Sequence, residues 1–134
     1  MVSTRGRYAL RMMLDLAEYQ GEGYVSLKDI AERQGISKKY LEQIIPTLNR
    51  ASLLQTVRGS QGGYRLTKAP AEYSVGEILR ATEGSMAPVT CLETPANPCQ
   101  HRGECATLFI WEGLEKAVNA YLDGITLQDV LNRK

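Results

Sequence analysis

Two helix starts separated by a single glycine constrain this chain more than any other feature. Ser26 followed by Asp29 reads as a capping box that opens a short helix running through about Gln34. Gly35 then supplies a left-handed turn residue, and Ser37 caps the next helix. Two short helices joined by a brief glycine-containing turn make a helix-turn-helix. In the second of them, Leu41, Ile44, Ile45 and Leu48 repeat at the spacing of an inward face. Lys39, Glu42, Gln43 and Arg50 fall on the outer side, with Lys38 and Tyr40 in the first turn. Pro46 removes the backbone bond to the Glu42 carbonyl and is expected to kink the helix or mark its weak point.

The segment that follows extends this unit. LLQTV (53–57) and YRL (64–66) are short strand-like runs joined by RGSQGG (58–63), so a two-stranded ribbon, a wing, should follow the helix-turn-helix. The glycine run lacks the Lys-Ser/Thr ending of a phosphate-binding P-loop and the spacing of a dinucleotide site, which excludes nucleotide binding. Charge points elsewhere. Residues 1–70 carry a net +5 and residues 71–134 a net −4, and between 37 and 68 six basic residues face only Glu42. Such a local excess suits a polyanion partner, although a solvated basic face has the same composition. The outer set of the helix, Ser37, Lys38, Lys39, Tyr40, Glu42 and Gln43, can hydrogen-bond base edges and phosphates. Arg58, Gly59, Ser60 and Gln61 at the ribbon tip can approach DNA closely.

The remaining elements frame this unit. Ala9, Met12, Met13, Leu16 and Ala17 place an amphipathic helix over 4–20, ended by Gly21-Glu22-Gly23. Ser74 with Glu77 reads as a capping box for a helix over 74–83 that Gly84 ends. Residues 85–104 show no period and include three prolines. From about Glu104 the helical period returns, with Trp111, Leu114, Val118, Tyr121 and Ile125 at coiled-coil spacing. That stripe suits pairing with a second copy, and packing on its own domain is the alternative. Gly124 ends the helix, and Thr126 with Asp129 caps a last short one. The fold class is therefore mostly α with a small β-wing. It divides into a winged helix-turn-helix domain (1–84), a cysteine-rich loop (85–104), and a long C-terminal dimerisation helix with a short terminal helix (105–134).

No apolar run approaches membrane-spanning length, and the N-terminal stretch leads into Asp15 and Glu18 rather than a cleavable apolar block. Three cysteines without an export signal predict reduced thiols in the cytoplasm. No nucleophile, base and orienter stand together, and one histidine leaves little for acid-base chemistry, so the chain does not read as an enzyme. Cys91, Cys99 and Cys105 are spaced C-x7-C-x5-C, with His101 in the second interval. This is neither the paired spacing of structural zinc nor the run of a ferredoxin. An iron-sulfur cluster, zinc, a metal-free thiol redox sensor and inert thiols all remain open on spacing alone.

The segments TRGRYALRMMLDLA, LKDIAERQGISKKYLEQI, VRGSQGGYRL, SVGEIL and ITLQDVL together resemble the IscR type of winged-helix bacterial transcription regulator, almost end to end. Relatives of that family sense iron-sulfur clusters, nitric oxide, iron or cysteine status. The resemblance implies a homodimer crossed by the long helix and a roughly palindromic double-stranded DNA operator. It further implies major-groove entry by the segment Ser37 to Gln43, minor-groove contact by Arg58 to Gly63, and an iron-sulfur cluster, 2Fe-2S, on the three cysteines. Glu42, facing phosphates, would recover its cost only by accepting from a cytosine amino group, and so would sharpen sequence choice. The family pattern places a histidine ligand three residues after the last cysteine, and that position is Leu108. His101, Glu93, Glu104 or a group from the partner subunit stand as candidates for the fourth ligand. Control by thiol redox state or by a protein partner, with no cluster, is the alternative reading.

Overall fold

The computed structural model describes residues 2–60, 62–88, 92 and 106–133. Six helices and one hairpin follow in the order α1 (Thr4–Tyr19), α2 (Leu27–Gln34), α3 (Lys38–Arg50), β1 (Leu54–Val57), β2 (Gly63–Leu66), α4 (Val75–Glu83), α5 (Leu108–Asp123) and α6 (Leu127–Leu131). A 3-10 turn, Pro70–Glu72, lies between β2 and α4. This is a mostly helical winged-helix fold with a small antiparallel sheet, as the sequence predicts.

Local chemistry sets the boundaries. Ser26 Oγ accepts the Asp29 amide at 3.2 Å, and Gly35 closes α2 at φ 64°. Ser37 Oγ accepts the Tyr40 amide at 3.1 Å and starts α3. Ser74 caps α4 by accepting from the Glu77 amide at 3.0 Å. The Glu77 carboxylate, expected to reach back to Ser74, instead pairs with Lys68 at 3.0 Å. The full reciprocal box appears at Thr126 and Asp129, where α6 begins. Helix α5 starts at Leu108, a turn later than the sequence period suggests. Helix α3 runs through Pro46 without interruption. Burial of Leu41, Ile44, Ile45 and Leu48 on either side of the proline holds it. Pro46 and Glu42 are both exposed, so water can satisfy the carbonyl that loses its donor.

The core is built around α1. Ala9, Met12, Met13 and Leu16 are fully buried and join Ile30, Leu41, Ile44, Leu48, Leu53, Leu66, Tyr73, Ile78 and Leu127 in one cluster. Burying Tyr73 requires partners for its hydroxyl, which donates to the Leu53 carbonyl at 2.8 Å and accepts from the Thr67 amide at 2.8 Å. The segment around Leu127 returns to this core. Leu127 N–H donates to the Tyr73 carbonyl, Val75 N–H to the Ile125 carbonyl, and Leu127 is buried among residues of the first eighty. A second small cluster of Val75, Leu79 and Met86 receives Val118, Leu122, Ile125 and Val130.

Helix α5 thus has two apolar sides. Val118 and Ile125 of the predicted seam pack on their own domain, as does Leu122. Trp111 is half-buried, whereas Phe109, Ile110, Leu114 and Tyr121 are exposed, and no residue of the helix is buried. The C-terminal half is fastened to α4 by Arg80, which reaches Asp123 at 2.6 Å and Asn119 at 3.1 Å. Gly76 permits this approach, because a Cβ there would lie 2.1 Å from the Asp123 carboxylate. Among the described residues, no helix is long and apolar enough to cross a membrane.

Candidate nucleic-acid interface

Helix α3 presents its polar face between two walls. On one side Tyr40 packs edge-on against Tyr8 of α1, with ring centroids 5.3 Å apart at 74°. On the other side the wing approaches, and Thr56 of β1 meets Asn49 at 3.3 Å. Ser37, Lys38, Lys39, Glu42 and Gln43 are exposed between these walls, and Tyr40 is half-buried. The inward spacing of Leu41, Ile44, Ile45 and Leu48 dictates this outward set.

The hairpin pairs Leu54 with Leu66 and Val57 with Gly63. It is anchored to the start of α2 through a double backbone bond between Val25 and Tyr64, both at 2.8 Å. Gly63 is required by that closeness, since a Cβ there would sit 2.3 Å from the Val25 carbonyl oxygen. At the tip, Arg58, Gly59 and Ser60 are exposed, and Gly59 takes φ 116°, where a side chain would be strained. Gln61, also predicted at the tip, lies outside the described residues.

Between α3 and the wing lies a groove of about 470 Å³, lined in part by Lys38, Glu42, Asn49, Arg58 and Tyr64. Burial, chiefly, raises the Tyr64 pKa; the negative charge of Glu42 adds to it and Arg58 opposes it. The phenol stays neutral at ordinary pH and keeps its O–H as a donor. Glu42 and Arg58 therefore act on one site from opposite walls, a carboxylate acceptor facing a guanidinium donor. Convergent cations, a glycine-rich tip and an exposed helix face suit a charged, grooved polymer such as duplex DNA.

A family model described as Rrf2, iron-dependent transcriptional regulator, matches residues 2–133. The chain belongs to the Rrf2 family. IscR of Aliivibrio salmonicida is 41% identical over 97% of this chain and 76% of that protein. Among solved structures, CymR of B. subtilis, titled the global cysteine regulator, superposes with a TM-score of 0.82 at 36% identity, covering 100% of this chain and 98% of that one. IscR of T. potens does so at 0.78 and 41% identity, covering 99% and 87%. This Rrf2 chain is a winged-helix, DNA-binding transcriptional regulator, and its relatives are regulators rather than enzymes.

The remaining predicted site residues fall elsewhere. Cys91, Cys99, Cys105 and His101 lie outside the described residues, as do Glu93 and Glu104. Among the described residues, no group of histidine, cysteine and carboxylate side chains is assembled to hold a metal. Leu108, where the family pattern has a histidine, opens α5 with a half-buried aliphatic side chain and offers no donor. Sequence reasoning missed the part of the interface contributed by α1. Tyr8 and Arg5 touch α3, and the signal was the aromatic and basic pair itself within TRGRYAL, which helical periodicity alone leaves on a surface face.

Proposed function

We propose that this Rrf2 regulator acts in the cytoplasm as a homodimer on a roughly palindromic DNA operator, under the control of an iron-sulfur cluster. The observation that carries the DNA reading is the exposed set Ser37, Lys38, Lys39, Glu42 and Gln43 on α3, of which Lys38 and Glu42 share a groove with Arg58 of the wing. In this reading α3 enters the major groove, and the tip, Arg58 to Gly63, reaches the minor groove. Glu42 accepts from a cytosine amino group and penalises other bases, because an unpaired carboxylate near phosphates is repelled. The exposed apolar side of α5 supports pairing with a second copy: Phe109 is 74% and Tyr121 70% exposed.

Cys91, Cys99 and Cys105 would hold the cluster, most simply a 2Fe-2S centre, with His101 as the fourth donor. Three soft thiolates suit iron and sulfide, and similarity to IscR proteins supports the assignment. A bound cluster supplies a centre whose presence depends on iron, sulfide and oxidants. The chain's own contribution is geometric: the cysteine segment leads directly into α5, whose far half is fastened to α4 by Arg80, Asp123 and Asn119. Cluster binding by that segment would bias the spacing of the two recognition helices and regulate cluster biogenesis or a related stress response. A second reading, control by thiol redox state or a protein partner without a cluster, is supported by the comparable likeness to CymR.

Selection of bound fragments from genomic DNA, followed by gel-shift with the recovered duplex, tests the DNA reading. No enriched fragment would reject it. Protein purified without air and assayed for iron and sulfide tests the cofactor. A coloured protein that loses iron and changes operator affinity in Cys99→Ala supports the cluster, and a colourless one that resists reconstitution favours the cluster-free alternative.

A further inference from the structure

Two guanidinium groups converge on one hydroxyl at the edge of the recognition helix. Arg5 Nη2 donates to Thr47 Oγ1 at 2.7 Å, and Arg50 Nη2 approaches the same oxygen at 3.4 Å. Arg5 is partly buried, and its Nε has no hydrogen-bond partner although it is shielded from solvent. Among the described residues, neither arginine belongs to an ion pair. Two like charges held together with an unmet donor call for an anion with several acceptor oxygens.

Location decides which anion. Tyr40 and Thr47 are seven residues apart and lie on one strip of α3, the strip that α1 touches through Tyr8 and Arg5. Arg50 is exposed on the side that carries Lys39 and Gln43. Arg11 steadies this wall, its guanidinium 5.5 Å from the Tyr8 ring centroid and bonded to the Gln34 side chain at 3.2 Å. The polar face of α3 therefore runs between a basic α1 edge and the wing. A helix seated in a major groove has a phosphate strand on each side of it.

We propose that Arg5, Thr47 and Arg50 form a phosphate clamp that takes a DNA backbone phosphodiester on the α1 side of the recognition helix, opposite the wing. The Nη groups of the two guanidinium forks supply donors, and the Thr47 hydroxyl, already accepting from the arginines, turns its proton toward the phosphate. The clamp rests on the DNA-binding reading and adds a contact to it that is blind to sequence.

Anisotropy of a labelled random-sequence duplex of about 30 base pairs, titrated between about 50 and 200 mM salt, tests it. Arg5→Ala should weaken binding several-fold and lower the slope of log affinity against log salt by about one, while Arg5→Lys keeps most of that slope. Thr47→Val should weaken binding with little change in slope, and thermal melts of each variant identify any that fail to fold. An unchanged slope in both folded Arg5→Ala and Arg50→Ala, alongside a lowered one in Arg58→Ala, overturns the clamp and leaves the DNA reading intact. A wild-type protein that binds no duplex removes both. Titration of inorganic phosphate at constant ionic strength separates the sources: displacement of duplex at sub-millimolar phosphate that Arg5→Ala abolishes would assign the site to a free anion instead.

Discussion

One carboxylate oxygen of Glu83, at the end of α4, accepts both the amide of Ser3 at 2.8 Å and its hydroxyl at 2.7 Å. The contact ties the first turn of α1 to α4 across eighty residues. Gly6 makes it possible, because a Cβ there would lie 2.2 Å from that oxygen. Gly6→Ala gains about 1 kcal/mol of helix propensity but displaces the carboxylate, forfeiting two exposed hydrogen bonds together worth about 2 kcal/mol. The expected result is a net loss of stability of about 1 kcal/mol by urea unfolding. In a Glu83→Ala background the same change should stabilise, and the reversal of sign in this double-mutant cycle is the measurement that checks it.

Among the described residues Asp15 is the one buried charged residue, with a fully buried side chain. Arg33 grips it through two bonds of 3.0 and 2.7 Å, Gln34 adds a third at 2.9 Å, and the Tyr19 ring lies 4.1 Å from the Arg33 guanidinium carbon. The hydrogen bond to Asp15 raises the Arg33 pKa against the desolvation that opposes it, so the guanidinium keeps its charge beside Asp15. Arg33→Met should therefore cost about 3 kcal/mol, by stranding a buried carboxylate. Asp15→Leu combined with Arg33→Met should recover most of that loss. Denaturation midpoints at unchanged m-value report both, and a single variant no less stable than the double would refute the account.

How much of this was legible in the sequence depends on whether a residue's partner is near or far along the chain. The faces of α3 follow from spacing alone, and Ser26, Gly35 and Ser37 fix its approach through local hydrogen bonds, so the helix-turn-helix reads directly. Tyr73 looks like an ordinary residue before a helix, yet it anchors the core through Leu53, twenty positions away. Leu127 is equally opaque, because its burial depends on a return of the chain that no local pattern encodes. Arg5 meets its partner forty-two residues on. Along α5 and the residues just past it, a single heptad period cannot separate two apolar stripes, and it mixed Val118 and Ile125, which face their own domain, with exposed Leu114 and Tyr121. The cysteines and His101 stay with the sequence reading, since they lie outside the described residues.

Glu42 and Arg58 share the groove beside Tyr64 but should have opposite effects on binding. Arg58→Ala removes a cation and should weaken binding to every duplex with a smaller salt slope, by about one. Glu42→Gln removes a repulsive charge and should tighten binding to random DNA. It should also blunt discrimination at one position by about 1–3 kcal/mol, the worth of a base-edge contact. Sequencing of pools selected by the two proteins checks this: a motif that keeps the same cytosine preference in Glu42→Gln would remove Glu42 from the reading of bases.

The exposed side of α5 gives the sharpest test of assembly. Ile110, Leu114, Ala117 and Tyr121 recur at spacings of four, three and four, a seam separate from the one occupied by Val118, Leu122 and Ile125. Ile110 and Leu114 are 45% and 40% exposed and take no part in the described core, so Ile110→Glu with Leu114→Glu should leave the fold of each chain intact. In a dimer the same changes bury two carboxylates against apolar partners and against each other, which association cannot tolerate. Light scattering should report twice 14.9 kDa for the unaltered protein and a single chain for the double variant. Val118→Glu should behave differently, lowering the melting temperature, because its apolar contacts lie within its own chain. If both variants remained dimeric, pairing would have to run through a surface other than this seam.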